Sequence, residues 1–139
     1  MPRAVHEIMT VAPATIGSDE PARAAARVMR EHDIGAVLVL DGASLHGIVT
    51  DRDLAVRLVA EGRDAESTSV REVATADPTA IDSSESVDDA VSLMRERALR
   101  RLPVTEGGRP VGLVSLGDLA VERDPDSALA HISASDPDR

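Results

Sequence analysis

The sequence predicts a mixed α/β (α+β) protein that is built from two copies of one small unit, each with the order strand, helix, strand, strand, helix. The chain has 139 residues, the size of one ordinary domain. A shift of 65 residues places residues 5–56 on residues 70–121 without a gap and gives 19 identities in 52 pairs. Units of about 60 residues lie near the lower size limit for an independent core, so we expect the two copies to bury apolar surface against each other.

A short strand and a helix open each copy. The strands are expected at residues 14–16 and 79–81. Before the first helix, Ser18-Asp19-Glu20-Pro21 offers N-cap candidates and an early-helix proline, and Ser86-Val87-Asp88-Asp89 gives the second copy a capping-box pattern. The apolar positions that follow share one helical face: Ala22, Ala25, Ala26 and Met29 up to a stop at Gly35, then Ala90, Val91, Met94 and Ala98. We interpret the two methionines as core residues.

Two adjoining strands and a final helix complete each copy. A continuous apolar run, a glycine-containing turn and a second apolar run predict the strand pair. These runs are residues 36–40 and 47–49 in the first copy and residues 102–105 and 111–114 in the second. The final helix begins after Thr50 or Ser115 and ends near Gly62 or Asp124.

The duplication also predicts the domain boundaries. We assign residues 1–62 to the first repeat and residues 70–123 to the second, with the polar segment 63–69 as a linker. Residues 124–139 are acidic and short of apolar side chains, so we expect a flexible tail.

Composition excludes several classes of function. The chain has no Cys, Phe, Trp or Tyr, and all 15 basic residues are arginines. A thiol nucleophile, a thiolate zinc site, a disulfide and a lysine base are therefore impossible. A net charge of −10 and the lack of aromatic side chains lead us to expect no nucleic-acid partner. The four histidines lack metal-ligand spacing, so no metal site is predicted.

The sequence shows neither a membrane span nor a leader. No apolar run approaches the ~18 residues that a membrane span needs, and the N-terminus lacks the apolar region of a signal peptide. We therefore expect a cytoplasmic protein with no membrane partner.

One motif can carry chemistry, and it occurs twice in register. A hydroxyl residue stands at the start of each final helix with an aspartate three positions later: Thr50 and Asp53, then Ser115 and Asp118. Free backbone N–H groups and the helix dipole at such a start attract an anion, the hydroxyl can bind a phosphate oxygen, and the carboxylate can accept bonds from ribose hydroxyls. The same pattern is also a capping box, which satisfies those N–H groups internally.

The duplicated motifs resemble those of a known family. Two tandem repeats with the openings VHEIM and VREVA, a Pro-x-x-Ile strand, a helix with Met-Arg-Glu, and the turns GIVTDRD and GLVSLGD are similar to a CBS-domain pair, or Bateman module. The match spans about residues 5–122 and is closer to small stand-alone pairs of the hypoxic response protein type. The resemblance implies two β-α-β-β-α repeats packed through their sheets with pseudo-twofold symmetry, and adenosyl ligands in one or both clefts.

The resemblance also implies which residues bind the nucleotide. The hydroxyl of each turn matches the phosphate contact, the aspartate matches the ribose contact, the first strand edges the adenine, and the start of the second strand faces phosphate. The matching positions are Ile16, Ser18, Gly35, Ala36, Thr50 and Asp53 in the first repeat and Ile81, Ser83, Arg100, Arg101, Ser115 and Asp118 in the second. No cofactor is required, and the candidate ligands are AMP, ADP, ATP and S-adenosylmethionine.

The two copies diverge where phosphate would bind. Arg100 and Arg101 stand where the first repeat has Gly35 and Ala36. They suit a phosphate clamp, but pairing with neighbouring acids or a solvated edge explains them equally well.

The turns themselves differ as well. Asp51 puts a carboxylate beside the first anion site, where Arg52 offers a compensating charge. Gly117 removes bulk at the second site, so that a backbone can approach a ligand. Occupancy of the first cleft is therefore in question.

Three functions compete at this point. The favoured one is a regulatory module that senses adenosyl nucleotides and signals as a homodimer through alanine-rich helices near residues 23–27. The second is a ligand-independent, stress-related structural or interaction dimer whose motifs only cap helices. An enzyme is the least favoured, since no nucleophile and base pair, metal cluster or cofactor fingerprint is present. The sequence does not identify a downstream protein partner.

Overall fold

The computed structural model describes residues 3–123 and residue 132, and the chain divides into two units. The first unit is Ala14–Pro78, and the second unit combines Met1–Pro13 with Thr79–Arg139. The tail predicted at residues 124–139 lies, apart from residue 132, outside the described residues.

Both units have mixed α and β structure, which confirms the predicted fold class. The strands are β1 (Thr10–Val11), β2 (Thr15–Gly17), β3 (Ala36–Asp41), β4 (Ser44–Thr50), β5 (Thr75–Ala76), β6 (Ile81–Asp82), β7 (Arg101–Glu106) and β8 (Arg109–Ser115). The helices are a 3-10 turn (Val5–Glu7), α1 (Ala22–His32), α2 (Asp51–Asp53) with a π-helical continuation (Leu54–Val59), α3 (Val70–Val73), α4 (Val87–Arg97) and α5 (Leu116–Arg123).

Each unit contains one four-stranded sheet with the same topology. In the first unit, β2 is parallel to β3, and β3, β4 and β5 follow in antiparallel order. In the second unit, β6 is parallel to β7, and β7, β8 and β1 follow in antiparallel order. The predicted order of strand, helix, strand, strand, helix is therefore found in each unit, with a fourth strand added at one edge.

The added edge strand comes from the segment that precedes the other repeat. Thr10 of β1 pairs with Leu113 of β8, and Thr75 of β5 pairs with Ile48 of β4. The valine that opens each segment is fully buried: Val5 belongs to the core of the second unit and Val70 to that of the first. The boundaries predicted from the duplication, 1–62 and 70–123, thus describe repeats in the sequence, and the units of the fold cross them.

The segment predicted as a linker, 63–69, packs onto the start of α1. The Ala22 N–H donates to the Thr68 carbonyl at 2.7 Å and the Arg23 N–H donates to the Ala65 carbonyl at 3.1 Å. Thr68 itself is buried. The backbone carbonyls of this segment therefore satisfy free donors at the start of a helix.

Repeated glycines explain how the edge strands fit. A Cβ on Gly47 would lie 2.2 Å from the Thr75 carbonyl oxygen, and a Cβ on Gly112 would lie 2.3 Å from the Met9 sulfur. Only a residue without a side chain allows the neighbouring segment to come this close. Glycine therefore recurs at these two positions because the segments that carry β5 and β1 pack directly against them.

The two long helices correct two details of the prediction. Helix α1 ends at His32 because Asp33 adopts a left-handed conformation with φ 53°, so Gly35 lies beyond the stop, and Ala98 with φ 55° ends α4 in the same way. Ala26 is exposed, whereas Ala22, Ala25 and Met29 face the core. Met94 is buried as well, which confirms the core role of both methionines.

The final helix of the first repeat is not a regular α-helix. After one turn, residues Leu54–Val59 are π-helical, with the Ala60 N–H donating to the Ala55 carbonyl five residues earlier at 2.9 Å. Leu54 and Leu58 still face the core of the first unit. Among the described residues, none of the helices has the length and apolar character needed to cross a membrane.

Replacing Gly47 with Ala should destabilise the protein by about 1–3 kcal/mol, because the new methyl group overlaps the Thr75 carbonyl and forces β5 away from β4. Chemical denaturation of the variant and the wild type measures this difference. Gly17→Ala is the matched control, since its Cβ would meet nothing closer than 3.7 Å. Equal stabilities for the two variants would show that the close approach is not a constraint.

Candidate functional site

The two strand-to-helix turns form the same reciprocal pair of hydrogen bonds. The Thr50 N–H donates to Asp53 Oδ2 at 2.9 Å, and the Asp53 N–H donates to Thr50 Oγ1 at 3.1 Å. The Ser115 N–H donates to Asp118 Oδ2 at 2.8 Å, and the Asp118 N–H donates to Ser115 Oγ at 3.1 Å. Both motifs are therefore capping boxes, which fix the hydroxyl and the carboxylate of each turn in place.

The structure brings the start of the second strand to the same turns. Ala36 pairs with Thr50 across the hairpin, and the Gly35 carbonyl accepts from the Asp51 N–H at 3.0 Å. In the second unit, Arg101 pairs with Ser115, and the Arg100 carbonyl accepts from the Leu116 N–H at 2.8 Å. Eight of the twelve predicted site residues thus converge at two turns: Gly35, Ala36, Thr50, Asp53, Arg100, Arg101, Ser115 and Asp118.

The four residues predicted on the first strands lie farther away. Ile16 pairs with Val39 and Ile81 pairs with Val104, three residues along the strand from Ala36 and Arg101. At a rise of about 3.3 Å per residue, this places them roughly 10 Å from the turns. A single nucleotide can reach that far.

Ser18 and Ser83, which follow these strands, are buried. The Ser18 hydroxyl donates to the Asp41 carboxylate, and Arg71 Nη2 donates to both Ser18 Oγ and Asp41 Oδ1 at 2.7 Å. The hydrogen bond from Ser18 is the main cause that lowers the pKa of Asp41, and the charge of Arg71 acts in the same direction. Ser18 therefore joins α3 to β3.

The first turn of α2 has its backbone donors occupied. Besides the bonds of Asp51 and Asp53 already described, the Arg52 N–H donates to Asp51 Oδ1 at 2.8 Å. The carboxylate of Asp51 thus lies where an anion would bind to the helix start. Its negative charge also opposes the approach of phosphate.

The first turn of α5 is different. The Leu116 N–H and the Asp118 N–H are taken by Arg100 and Ser115. Within residues 3–123, the N–H of Gly117 between them has no hydrogen-bond partner. Gly117 is buried, and Leu116 takes the place of Asp51, so no carboxylate caps this donor.

The charges around the two aspartates also differ. Asp53 Oδ1 lies 3.8 Å from Arg57 Nε, and Arg57 Nη1 donates to the Ala74 carbonyl at 3.2 Å. The position that corresponds to Arg57 in the second repeat is Glu122, which pairs with Arg3 at 2.8 Å. Burial raises the pKa of Asp118, and its hydrogen bonds with Ser115 act in the opposite direction. Asp118 is therefore a half-buried carboxylate, and its helix has a glutamate at the position where the helix of Asp53 has Arg57.

The structure narrows the alternatives for the two arginines at the start of β7. Arg100 is exposed and Arg101 is half-buried. In the part of the chain that the structure describes, neither arginine has a carboxylate within 4.0 Å. Pairing with acids of neighbouring helices is thus not seen among these residues.

Sequence reasoning missed two features of these units. Arg57 stands four residues after Asp53, a spacing typical of helical ion pairs that could have drawn attention to it. The network of Ser18, Asp41 and Arg71 joins residues up to 53 positions apart, and no local pattern predicts it.

This arrangement defines the class of protein. The CBS domain model matches residues 5–60 and 70–123, so the chain belongs to the CBS domain family and carries two copies of the domain. This match confirms the predicted family. A pair of CBS domains is a regulatory module.

Similar proteins include small stand-alone pairs. The CBS domain-containing protein YhcV of Bacillus subtilis is 38% identical over 133 residues, which cover 93% of this chain and 94% of that protein. Hypoxic response protein 1 of Mycobacterium tuberculosis is 36% identical over 116 residues, which cover 83% of this chain and 81% of that protein.

Solved structures give the same result. The structure of Hypoxic Response Protein I with two coordinated zinc ions has a TM-score of 0.78 at 35% identity and covers 85% of this chain and 97% of that one. CBSX2 in complex with AMP has a TM-score of 0.74 at 23% identity and covers 86% of this chain and 94% of that one, which shows a shared fold. Among residues 3–123 and 132 of this chain, no group of three or more His, Asp or Glu side chains is arranged to hold a metal ion.

Replacing Ser115 with Ala should lower the free energy of unfolding by about 0.5–2 kcal/mol, because the Asp118 N–H loses its acceptor. Urea denaturation checks this value. Ser115→Thr is the control and should keep most of the stability, since a threonine fills the equivalent position in the first repeat. A Ser115→Ala variant as stable as the wild type would show that the cap does not contribute.

The stability of Asp118→Asn relative to the wild type should rise with pH. Because the pKa of Asp118 is raised in the folded state, its contribution is fully present below the unfolded pKa and is lost as pH rises through the folded pKa. The variant carries no titrating group at this position, so it does not suffer that loss. Thermal midpoints of both proteins between about pH 3 and pH 7 test this, and a difference that stays constant would contradict it.

Proposed function

We propose that the chain is a regulatory module that binds an adenosyl nucleotide at the strand-to-helix turn of its second repeat and acts as a homodimer. The candidate ligands are AMP, ADP, ATP and S-adenosylmethionine. The observation that carries the proposal is the N–H of Gly117, which has no partner within residues 3–123 and lies between the hydroxyl of Ser115 and the carboxylate of Asp118, both held by the capping box.

The turn offers what a phosphate group needs. The Gly117 N–H points from the start of α5, where the helix dipole favours negative charge. The Ser115 hydroxyl can donate to a phosphate oxygen while its own oxygen still accepts from the Asp118 N–H. Arg101 pairs with Ser115 across the hairpin and supplies a cation without a carboxylate partner among residues 3–123.

The carboxylate of Asp118 suits the ribose. Its Oδ2 accepts from the Ser115 N–H, and Ser115 supplies both hydrogen bonds that act to lower the pKa of this carboxylate. An ionised carboxylate has two oxygens that only accept hydrogen bonds, so it can accept from the two neighbouring hydroxyls of a ribose. Burial raises the pKa of Asp118, and hydrogen bonds from ribose hydroxyls would act in the opposite direction by stabilising its charged form.

The adenine must be held without aromatic stacking, because the chain has no aromatic residue. Ile81 is buried roughly 10 Å from the turn, and Ala80 and Leu93 are its aliphatic neighbours in one groove. The base would therefore pack against aliphatic side chains and be recognised by the backbone. CBSX2, which shares the fold, has been solved with AMP, and this supports an adenosyl ligand as the class to test.

The first repeat is the weaker candidate. Asp51 caps the donor that corresponds to Gly117, and Arg57 sits beside the aspartate that would take the ribose. We therefore expect one nucleotide per chain. A cytoplasmic location stays a prediction from the sequence.

A second candidate function has one observation in its favour. In both turns the side chain of each residue of the hydroxyl–aspartate pair accepts a hydrogen bond from the backbone N–H of the other. A motif that serves only to cap a helix needs no more than these bonds. On this basis the chain would be a ligand-independent structural or interaction dimer. Nucleotide would then leave the thermal midpoint unchanged.

Isothermal titration calorimetry with each of the four candidate ligands separates the two functions. We expect one site per chain for at least one of them in the wild type, and a loss of affinity of at least about tenfold in Leu116→Asp. That variant gives the second turn the carboxylate that caps the donor in the first. Leu116 is 43% exposed, so the substitution does not disturb the core.

Asp51→Asn is the matched control and should leave the affinity unchanged, because it changes only the first turn. If all four ligands give no heat at millimolar concentration, nucleotide binding is wrong and the structural dimer is favoured. Equal loss in Asp51→Asn and Leu116→Asp would place the ligand elsewhere.

A further inference from the structure

Four methionines are the only sulfur-containing residues of the chain. The chain has no cysteine, tryptophan or tyrosine, so these thioethers are the main targets that it offers to a peroxide. Met29 and Met94 are 7% and 4% exposed and lie in the cores of the two units. Met9 is only partly buried, and Met1 lies outside the described residues. Among the residues that the structure describes, Met9 is therefore the methionine most open to oxidation.

The Met9 side chain lies directly against the backbone of strand β8. A Cβ on Gly112 would overlap both the sulfur and the Cγ of Met9, so the thioether fills the space that a side chain at Gly112 would take. Gly112 is buried, and it pairs with Val11 of β1. The thioether therefore packs at the place where the edge strand joins the sheet.

Few other contacts hold β1 in place. The strand has only two residues, and its Val11 is 68% exposed. The side chains of Ile8 and Met9, just before the strand, pack against the core of the second unit. Val5 anchors the segment farther back, where its N–H donates to the Glu85 carbonyl at 2.8 Å. A change at Met9 therefore acts on β1 while Val5 keeps its place.

The first unit carries no sulfur at this place. Ala74 stands 65 residues after Met9, and each of the two directly precedes an edge strand. Ala74 is buried, and the atoms that lie close to Gly47 are backbone atoms of the following two residues. A thioether is thus not needed to attach an edge strand in this fold. Its presence in the second unit adds a reactive group that the first unit lacks.

We propose that Met9 is a site of reversible oxidation by hydrogen peroxide, and that its sulfoxide releases β1 from β8. The sulfur attacks one oxygen of the peroxide, the O–O bond breaks and an S–O bond forms. The other oxygen takes up the proton of the transferred OH group and leaves as water, so the sulfur loses two electrons and the peroxide gains them. A thiol-dependent sulfoxide reductase reverses the step with two electrons and two protons, and the oxygen again leaves as water.

The sulfoxide does not suit the contact with β8. Oxidation turns a flexible apolar side chain into a polar one and disrupts the packing that the methionine made. The close approach of the sulfur to Gly112 leaves no room for an added oxygen on that side. On the side of the apolar core, an oxygen without a hydrogen-bond donor costs free energy. The oxidised side chain therefore turns toward water and takes the short strand with it.

Peptide mapping by mass spectrometry, after treatment with dilute hydrogen peroxide, tests the reactivity of the site. In the native protein Met9 should gain one oxygen at least about tenfold faster than Met29 and Met94, because buried sulfurs react only after local opening. In concentrated urea, where burial is lost, the three methionines should react at similar rates. Native rates that are equal at the three positions, or lowest at Met9, would overturn the proposal.

Thermal unfolding tests the consequence of oxidation. A peroxide dose that oxidises only Met9 should lower the thermal midpoint by at least about 3 °C, and sulfoxide reductases for both epimers with dithiothreitol should restore it. Met9→Leu keeps a similar apolar volume and should show no shift with peroxide. Met9→Gln places a polar group at the same position and should lower the midpoint without peroxide. Met29→Leu is the matched control, and peroxide should lower its midpoint as in the wild type because it retains Met9.

Hydrogen exchange on the oxidised wild type locates the change. The peptide that carries β1 should exchange faster after oxidation, whereas the peptide that carries β5 should exchange as before. An oxidised Met9 that changes neither the midpoint nor the exchange of β1 would contradict the release of the strand. A sulfoxide that the reductases cannot remove would contradict reversibility. If Met9→Leu or Met9→Gln fails to fold, the exchange of the oxidised wild type decides.

Discussion

The reciprocal bond between a hydroxyl and an aspartate at each strand-to-helix turn is the constraint on which the candidate site depends. By binding each other's N–H groups, Thr50 and Asp53 hold the start of α2, and Ser115 and Asp118 hold the start of α5. The first and fourth N–H groups of each turn are thereby used, the second is taken by the carbonyl that precedes β3 or β7, and only the third, the middle donor, can be free. Capping and ligand binding are therefore compatible in the same motif, and the residue before the middle donor decides between them.

The duplication has kept the structural positions of the two units and changed the electrostatic ones. The capping aspartates, the glycines under the edge strands and the buried methionines recur at a spacing of 65 residues. Three positions of the turn and its helix carry a charge in the first repeat that the second lacks or reverses: Asp51 against Leu116, Arg52 against Gly117, and Arg57 against Glu122. Each difference removes a charge or reverses its sign at the turn. The capping boxes fix the backbone of both turns, while these side chains set the electrostatic potential at each one. The two repeats can therefore share one fold and still differ in their affinity for an anion.

Local patterns predicted the elements of the fold, and long-range packing determined the rest. The strands, the helices and the capping pairs follow from periodicity and from residue types a few positions apart. The exchange of the edge strands β1 and β5 does not, because residues 10–11 must find residues 112–113 to form it. The one-residue stop at Asp33 was missed as well, since an aspartate in a left-handed conformation replaces the expected glycine. The free N–H of Gly117 could be suspected from the glycine, but only the partners of its neighbours reveal it.

The use of arginine as the sole strong base links the ligand site to the charged helices. An arginine keeps its charge at any physiological pH and presents a planar fork, so it can serve a phosphate at Arg101 or a carboxylate at Arg23 with the same chemistry. What separates the two uses is the surrounding surface. At the turn of α5 the arginine stands near a backbone donor that has no partner among residues 3–123, which favours a small anion, whereas the arginines of α1 lie on an exposed helix face with no such donor beside them in the groove that they line.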